Sequence, residues 1–231
     1  MNLIFDLDDT LYDTKQPFIN AMRKIYSNFS IDENILFYKF RKHSDEVFLL
    51  TQNNEMTLEN MHIYRIKEAL KHFGINITDK EAIVFQKEYE QFQKSIFLDD
   101  KVKCLLDNCN YRNIKLGIIT NGETDRQWSK IKNLKLTNWI PKDNIIVSAD
   151  VGISKPDLDI FKYAEKKVGI RPESTYYIGD SYANDIVGAK KAGWKVIWYN
   201  KRQGKLLNSK YKPDQMVDTL ENLLNQINIL D

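Results

Sequence analysis

The sequence is short of several things, and each shortage excludes something. Two of its 231 residues are cysteine. Cys104 and Cys109 stand five apart on an expected helix and do not share a face, so no disulfide between them is expected. Both read as buried small apolar groups in a reducing compartment. An excess of one charge is also missing. The 34 Lys and Arg against 32 Asp and Glu leave a net +2, too little to argue for nucleic acid or a membrane surface on field strength. No apolar run could span a bilayer, and no basic stretch followed by an apolar one opens the chain, so it is expected to be cytoplasmic. Internal repeats and low-complexity linkers are lacking too. The three histidines, His43, His62 and His72, have no tight metal-ligand spacing and read as packing residues. The most basic stretch, Lys201 to Lys212, reads as a solvated loop, the alternative being a rim that attracts anionic substrate.

What remains is a globular composition, 42% hydrophobic and 29% charged, with chain enough for one large or two modest domains. Its organising stretch comes first. Leu3, Ile4 and Phe5 form a short apolar run suited to a strand buried on both faces, and the run ends abruptly in Asp6, Asp8 and Asp9. Carboxylates crowded at a buried strand end need a cation to stay ionised together. A hard divalent metal, most simply Mg²⁺, suits that place because it takes carboxylate oxygens and a substrate phosphate. An acidic turn with Thr10 as a helix N-cap is the plainer explanation.

Residues 15–95 then lose strand character. Apolar residues recur at helical spacing (Phe18, Ala21, Met22 and Ile25, then Leu36, Phe37 and Phe40), and further helices are expected over Leu58 to Phe73 and Asp79 to Phe92. The segment is rich in aromatics: Phe18, Tyr26, Phe29, Phe48, Tyr64, Phe73, Phe85 and Tyr89, most of them expected in its core. It reads as a helical bundle inserted into a second domain made of residues 1–14 and 96–231. That second domain alternates helix and strand, with strands at Ile114–Thr120, Asn144–Ser148, Thr175–Gly179 and Lys195–Tyr199. Helices are expected at Lys101–Asn110, Thr124–Leu136, Pro156–Val168 and Ala183–Ala192, and the tail gives a short edge strand and a last helix. Repeated βα units predict an α/β fold with a Rossmann-like, doubly wound parallel sheet.

Such a sheet puts its strand ends on one rim. Strand one delivers Asp6 and Asp8; the next delivers Thr120, Asn121 and Gly122, a hydroxyl, an amide and a flexible backbone for an anion. Lys155 follows the third, before Pro156 at a helix start, where a cation suits a phosphate. The fourth delivers Asp180, with Asp185 five residues on. Singly, each is explained as a turn, a surface lysine or a helix cap. Four in succession are not.

With Asp6-Leu7-Asp8-Asp9-Thr10, Thr120-Asn121-Gly122, Lys155-Pro156 and Gly179-Asp180-Ser181 with Asn184-Asp185 in this order, the chain resembles the haloacid dehalogenase superfamily of phosphohydrolases, and the helical insert resembles that family's C1 cap. The resemblance implies Mg²⁺-dependent hydrolysis of a small phosphomonoester, such as a nucleotide or a sugar phosphate. Asp6 would be the nucleophile that becomes an aspartyl-phosphate, and Asp8 the general acid and base. The metal would be held by Asp6, the Asp8 backbone carbonyl and Asp180, with Asp185 orienting from behind. Thr120, Lys155 and the Asn121 backbone would bind the phosphoryl oxygens. A nucleophile must be ionised, so Asp6 belongs on the metal; an acid needs a raised pKa, so the Asp8 side chain belongs off it, in a site that the cap closes and dries. Dehalogenases and phosphonatases resemble the core but lack an acid at the position of Asp8. Asp9 departs from the pattern, standing where many relatives have glycine; Asp tolerates left-handed backbone, so the turn can survive. A phosphomutase on the same core, a phospho-accepting signalling protein without turnover and an inactive binding module are the competing readings. Neither nucleic acid nor membrane is expected as a partner, and the oligomeric state is left open.

Overall fold

A computed structural model of the chain describes residues 1–26, 31–206 and 210–230. Phe29 of the aromatic set and residues 207–209 of the basic stretch lie outside them. The chain divides into two compact units, Met1–Asp13 with Ile96–Asp231, and Thr14–Ser95. In chain order the elements are β1 (Asn2–Phe5), helices α1 (Lys15–Ile25), α2 (Glu33–Gln52), α3 (Leu58–Lys71), α4 (Asp79–Gln93) and α5 (Asp100–Tyr111), then β2 (Lys115–Thr120) and α6 (Thr124–Asn133). There follow β3 (Ile145–Val147), α7 (Ser148–Val151), α8 (Leu158–Val168), β4 (Thr175–Gly179), α9 (Val187–Lys191), β5 (Lys195–Tyr199), β6 (Gln215–Val217) and α10 (Leu220–Asn228).

The sheet is parallel throughout, in the order β3-β2-β1-β4-β5-β6. β1 lies between β2 and β4, with Leu3 opposite Leu116 on one side and Tyr176 on the other. Because side chains alternate along a strand, Leu3 and Phe5 join one core layer with residues of α5, α6 and α10, while Ile4 joins the other with α8 and α9. Both faces are covered, which is why the strands read as unbroken apolar runs. The chain winds outward from β1 through β2 to β3, then returns beside β1 as β4. That reversal is the topological switch point, where open α/β sheets bind ligands.

Local chemistry sets the helix ends. Asp99, Asp157 and Thr219 each accept a backbone N–H as N-caps of α5, α8 and α10, and Gly169 (φ 67°) closes α8 in the left-handed conformation. Two details differ from the sequence reading. α8 begins at Leu158, since Asp157 takes the cap. The helix expected from Ala183 opens as a single π-turn over Tyr182–Ile186, capped by the Ser181 side chain. Cys109 is buried but Cys104 is exposed, a correction to the expectation for both: helix α5 presents one face to the sheet, and Cys104 is off it.

The helical unit has its own core, built on Phe18, Phe40, Phe85 and Tyr89, with Phe18 and Phe40 centroids 4.6 Å apart. Tyr26, Phe48, Tyr64 and Phe73 are half-buried. Thr78 and Glu81 form a capping box at the start of α4. His43 and His62 are buried, and His43 Nε2 lies 3.1 Å from His72 Nε2. Among the described residues, no helix is long and apolar enough to cross a membrane.

Candidate active site

The site is built where β1, β2 and β4 end. Asp6 continues the β1 ladder for one residue, its N–H donating to the Ile178 carbonyl at 2.8 Å, and its side chain turns into the rim, 7% exposed. Lys155 is 2% exposed. Its Nζ donates to Asp6 Oδ1 and Asp185 Oδ1, both at 2.7 Å, and to the Tyr177 hydroxyl at 2.8 Å. Tyr177 in turn donates to the Ile119 carbonyl at 2.9 Å. Asp185 is wholly buried; besides the lysine it accepts the Ser181 N–H at 2.9 Å. The absence of a side chain at Gly179 makes this possible, because a Cβ there would overlap the Asp185 carboxylate.

Asp6, Asp180 and Asp185 bring carboxylate oxygens within 4.8 Å of one another. Two of these negative charges meet one lysine in a dry place, and the pKa values record the strain. Burial pushes Asp6 up to about 7; Lys155 works against this and the Asp185 charge adds to it. For Lys155 burial alone would favour the neutral amine, but Asp185 and Asp6 outweigh it and hold the ammonium above its usual range. Burial raises the Tyr177 hydroxyl, and the charges of Asp185 and Asp6 raise it further.

Asp8 faces elsewhere, outside that carboxylate group. Lys130 Nζ donates to both of its oxygens at 2.8 Å, Gln127 Nε2 to Oδ2 at 3.0 Å and the Tyr12 hydroxyl to Oδ1 at 2.5 Å. Gln127 Nε2 also reaches Thr120 Oγ1 at 2.5 Å, so one amide links Asp8 to the hydroxyl at the end of β2. Asn121 has a different partner: its side-chain Nδ2 donates to the Lys155 carbonyl and its Oδ1 accepts the Lys155 N–H, each at 2.9 Å.

The structure thus brings Asp6, Lys155, Asp180 and Asp185 together, sets Asp8 beside Thr120 through Gln127, and spends the Asn121 side chain on the Lys155 backbone. Sequence reasoning missed Tyr12, Gln127, Lys130, Tyr177, Lys201 and Arg202. For Gln127 and Lys130 a signal existed: they stand three apart on the helix that follows Thr120, and so share a face. Lys201 and Arg202 belong to the basic stretch expected as a solvated loop, with a rim for anionic substrate as the alternative; both pair with the buried carboxylate of Asp9.

The family model described as haloacid dehalogenase-like hydrolase matches residues 3–199. The chain belongs to that family. It is 27% identical over 222 residues to the glyceraldehyde 3-phosphate phosphatase of Methanothermobacter thermautotrophicus, covering 86% of this chain and 84% of the relative. The protein of the same name from Methanocaldococcus jannaschii is 26% identical over 223 residues, covering 96% and 95%. Among solved structures, the HAD-hydrolase YfnB of Bacillus subtilis, bound to magnesium, superposes with a TM-score of 0.73 at 26% identity over 99% of this chain and 98% of the other.

Proposed function

We propose that the chain is a phosphatase that hydrolyses a small phosphomonoester through a phosphorylated Asp6, with Mg²⁺ as cofactor. The observation that carries the reading is the gathering of Asp6, Asp180 and Asp185 beside Lys155 at the switch point. The donor set fits the metal: it is all oxygen and mostly buried. Asp6, Asp180 and the Asp8 backbone carbonyl would hold it, with Asp185 steadying the group. When bound, Mg²⁺ supplies charge that keeps Asp6 ionised and offsets the phosphoryl oxygens.

The protein's own groups divide the rest. An Asp6 oxygen attacks phosphorus; as the Asp6–phosphate bond forms, the ester oxygen leaves and takes a proton from Asp8. Water then attacks the same phosphorus and gives its proton to Asp8, and phosphate departs from Asp6. Lys155 and Thr120 receive the charge on the phosphoryl oxygens, with the Asn121 backbone beside them. Gln127, bonded to both Asp8 and Thr120, sets the acid relative to the phosphoryl group. The presence of Asp8 favours an ester, whose leaving oxygen needs a proton, over a halide, which does not.

The full-length relatives are named for removing phosphate from a three-carbon sugar phosphate, which supports a small phosphorylated metabolite as substrate. The test is phosphate release from a panel of sugar phosphates, phosphoserine and nucleoside monophosphates, with Mg²⁺ and with a chelator. Turnover that the chelator abolishes is expected. No release from any monoester in Mg²⁺ would sink the reading.

A further inference from the structure

Lys155 spends all three of its N–H bonds inside the site. They go to Asp6 Oδ1 and Asp185 Oδ1, each at 2.7 Å, and to the Tyr177 hydroxyl at 2.8 Å. Both carboxylates have a part in the proposed reaction; Tyr177 has none so far. It lies at the middle of β4, its side chain is wholly buried, and its ring packs edge-on against Phe161 of α8, centroids 5.6 Å apart. That packing needs the ring and not the hydroxyl, since phenylalanine would fill the same space.

A phenol oxygen brings one hydrogen and two lone pairs. The hydrogen is committed, because the Ile119 carbonyl at 2.9 Å is a nearer acceptor than Asp185 Oδ1 at 3.3 Å. The oxygen is left to accept, and what it accepts is Lys155. Ile119 directly precedes Thr120 on β2, so the hydroxyl is pinned to the strand that delivers the phosphate-binding side chain. An ammonium is tetrahedral, and fixing two of its N–H bonds fixes the third. Asp185 and Tyr177 hold two; the third meets Asp6 Oδ1, on the carboxylate where the phosphoryl group would arrive. That donor can pass from Asp6 to a phosphoryl oxygen without the amine turning.

We propose that Tyr177 is a positioning residue whose hydroxyl holds the Lys155 ammonium so that its third N–H is aimed at the phosphoryl group on Asp6. Its role in turnover rests on the phosphatase reading above. Without the hydroxyl, the N–H that it held has only the two carboxylates to turn to. The amine then settles against them and meets the charge that develops on the phosphoryl oxygens less well.

The test uses the full chain with Tyr177→Phe, and Phe161→Leu as a packing control. Both alter the same buried ring contact, but only the first removes the oxygen. Urea denaturation gives the stability of each protein. Kinetics give kcat and KM for an ester that the wild type hydrolyses in Mg²⁺. Calorimetry gives Kd for Mg²⁺ and, with Mg²⁺ present, for orthovanadate, which imitates five-coordinate phosphorus. Tyr177→Phe should lower kcat roughly ten- to a hundredfold, as expected for a hydrogen bond to a charged group, and leave KM and the Mg²⁺ Kd within about twofold of the wild type. Orthovanadate should bind it roughly tenfold more weakly. Phe161→Leu should lose stability while keeping kcat near that of the wild type. A wild-type kcat in Tyr177→Phe, a loss carried by KM instead, or an equal fall in Phe161→Leu overturns the inference. If the wild type releases phosphate from no ester, the phosphatase reading falls and orthovanadate decides. A Kd unchanged by Tyr177→Phe then overturns the inference, and a tenfold loss confined to Tyr177→Phe sustains it.

Discussion

The Asn121 side chain and the Lys155 backbone exchange two hydrogen bonds, each 2.9 Å long, across 34 residues of sequence. This ties the end of β2 to the segment that carries the lysine. An amide so used is a splint: it fixes where the Lys155 side chain starts on its way to Asp6. Asn121→Ala would free both Lys155 backbone groups. A lost neutral pair of this kind is worth about 1–3 kcal/mol. If most of it is felt in the transition state, kcat/KM falls roughly ten- to a hundredfold. Steady-state kinetics check this, and a far smaller change would show that Lys155 is held in place by its ion pairs alone.

Asp6 makes the stability of the metal-free protein depend on pH. Its folded pKa is pushed up to about 7, chiefly by burial, well above the usual carboxylate range. The folded state thus favours the protonated carboxyl. The stability this lends is complete below about pH 4 and is lost as pH rises towards 7, by an amount on the order of a few kcal/mol. Urea denaturation in chelator at pH 5 and pH 8 should show the decline, and Mg²⁺ should reverse it. Asp6→Asn should flatten the slope and abolish phosphate release. Equal slopes in Asp6→Asn and wild type would show that another group is responsible.

The parallel sheet was legible because its first five strands each carry a short apolar run that ends at a polar residue, from Leu3–Phe5 to Lys195–Tyr199; the edge strand β6, Gln215–Val217, has no such run. The two-layer core follows from alternation within those runs. Contacts between distant segments were not legible in the same way. Gln127 meets Asp8 across 119 residues. Periodicity says only that Gln127 and Lys130 share a helix face, not what that face meets. Arg202 was hidden for a different reason: it sits in a basic, polar stretch, and nothing local indicates that Asp9 would be buried enough to need it. The π-turn at Tyr182–Ile186 was missed because Asp185 is drawn back to Ser181 and Lys155, an interaction that overrides the regular helix its neighbours favour.

Lys130, Gln127 and the Tyr12 hydroxyl all donate to the Asp8 carboxylate, Lys130 to both of its oxygens. Its side chain is outside the group of carboxylates that would hold the metal. Asp8→Asn should therefore leave Mg²⁺ affinity within about twofold while slowing turnover by on the order of 10²–10⁴, the usual contribution of a general acid and base. Calorimetric Mg²⁺ titration beside kinetics separates the two. A variant that loses Mg²⁺ binding as well would place the Asp8 carboxylate on the metal.

Gly179 and Asp185 provide the sharpest steric test. A Cβ at residue 179 would overlap the Asp185 carboxylate, and Asp185 cannot simply turn away, since it is wholly buried and holds both Lys155 and the Ser181 N–H. Gly179→Ala must therefore displace Asp185 or shift the strand end. Overpacking of this kind costs about 1–3 kcal/mol in stability. The effect on function should be larger in proportion, because the shifted carboxylate is one of the three whose oxygens lie within 4.8 Å of one another and that would hold the metal. Mg²⁺ affinity should fall at least tenfold, in a protein that still unfolds cooperatively. To distinguish crowding from lost charge, Asp185→Asn makes a companion: it keeps the shape and removes the charge. If Gly179→Ala binds Mg²⁺ as tightly as the wild type, the Asp185 carboxylate has room to move and its present position is not required.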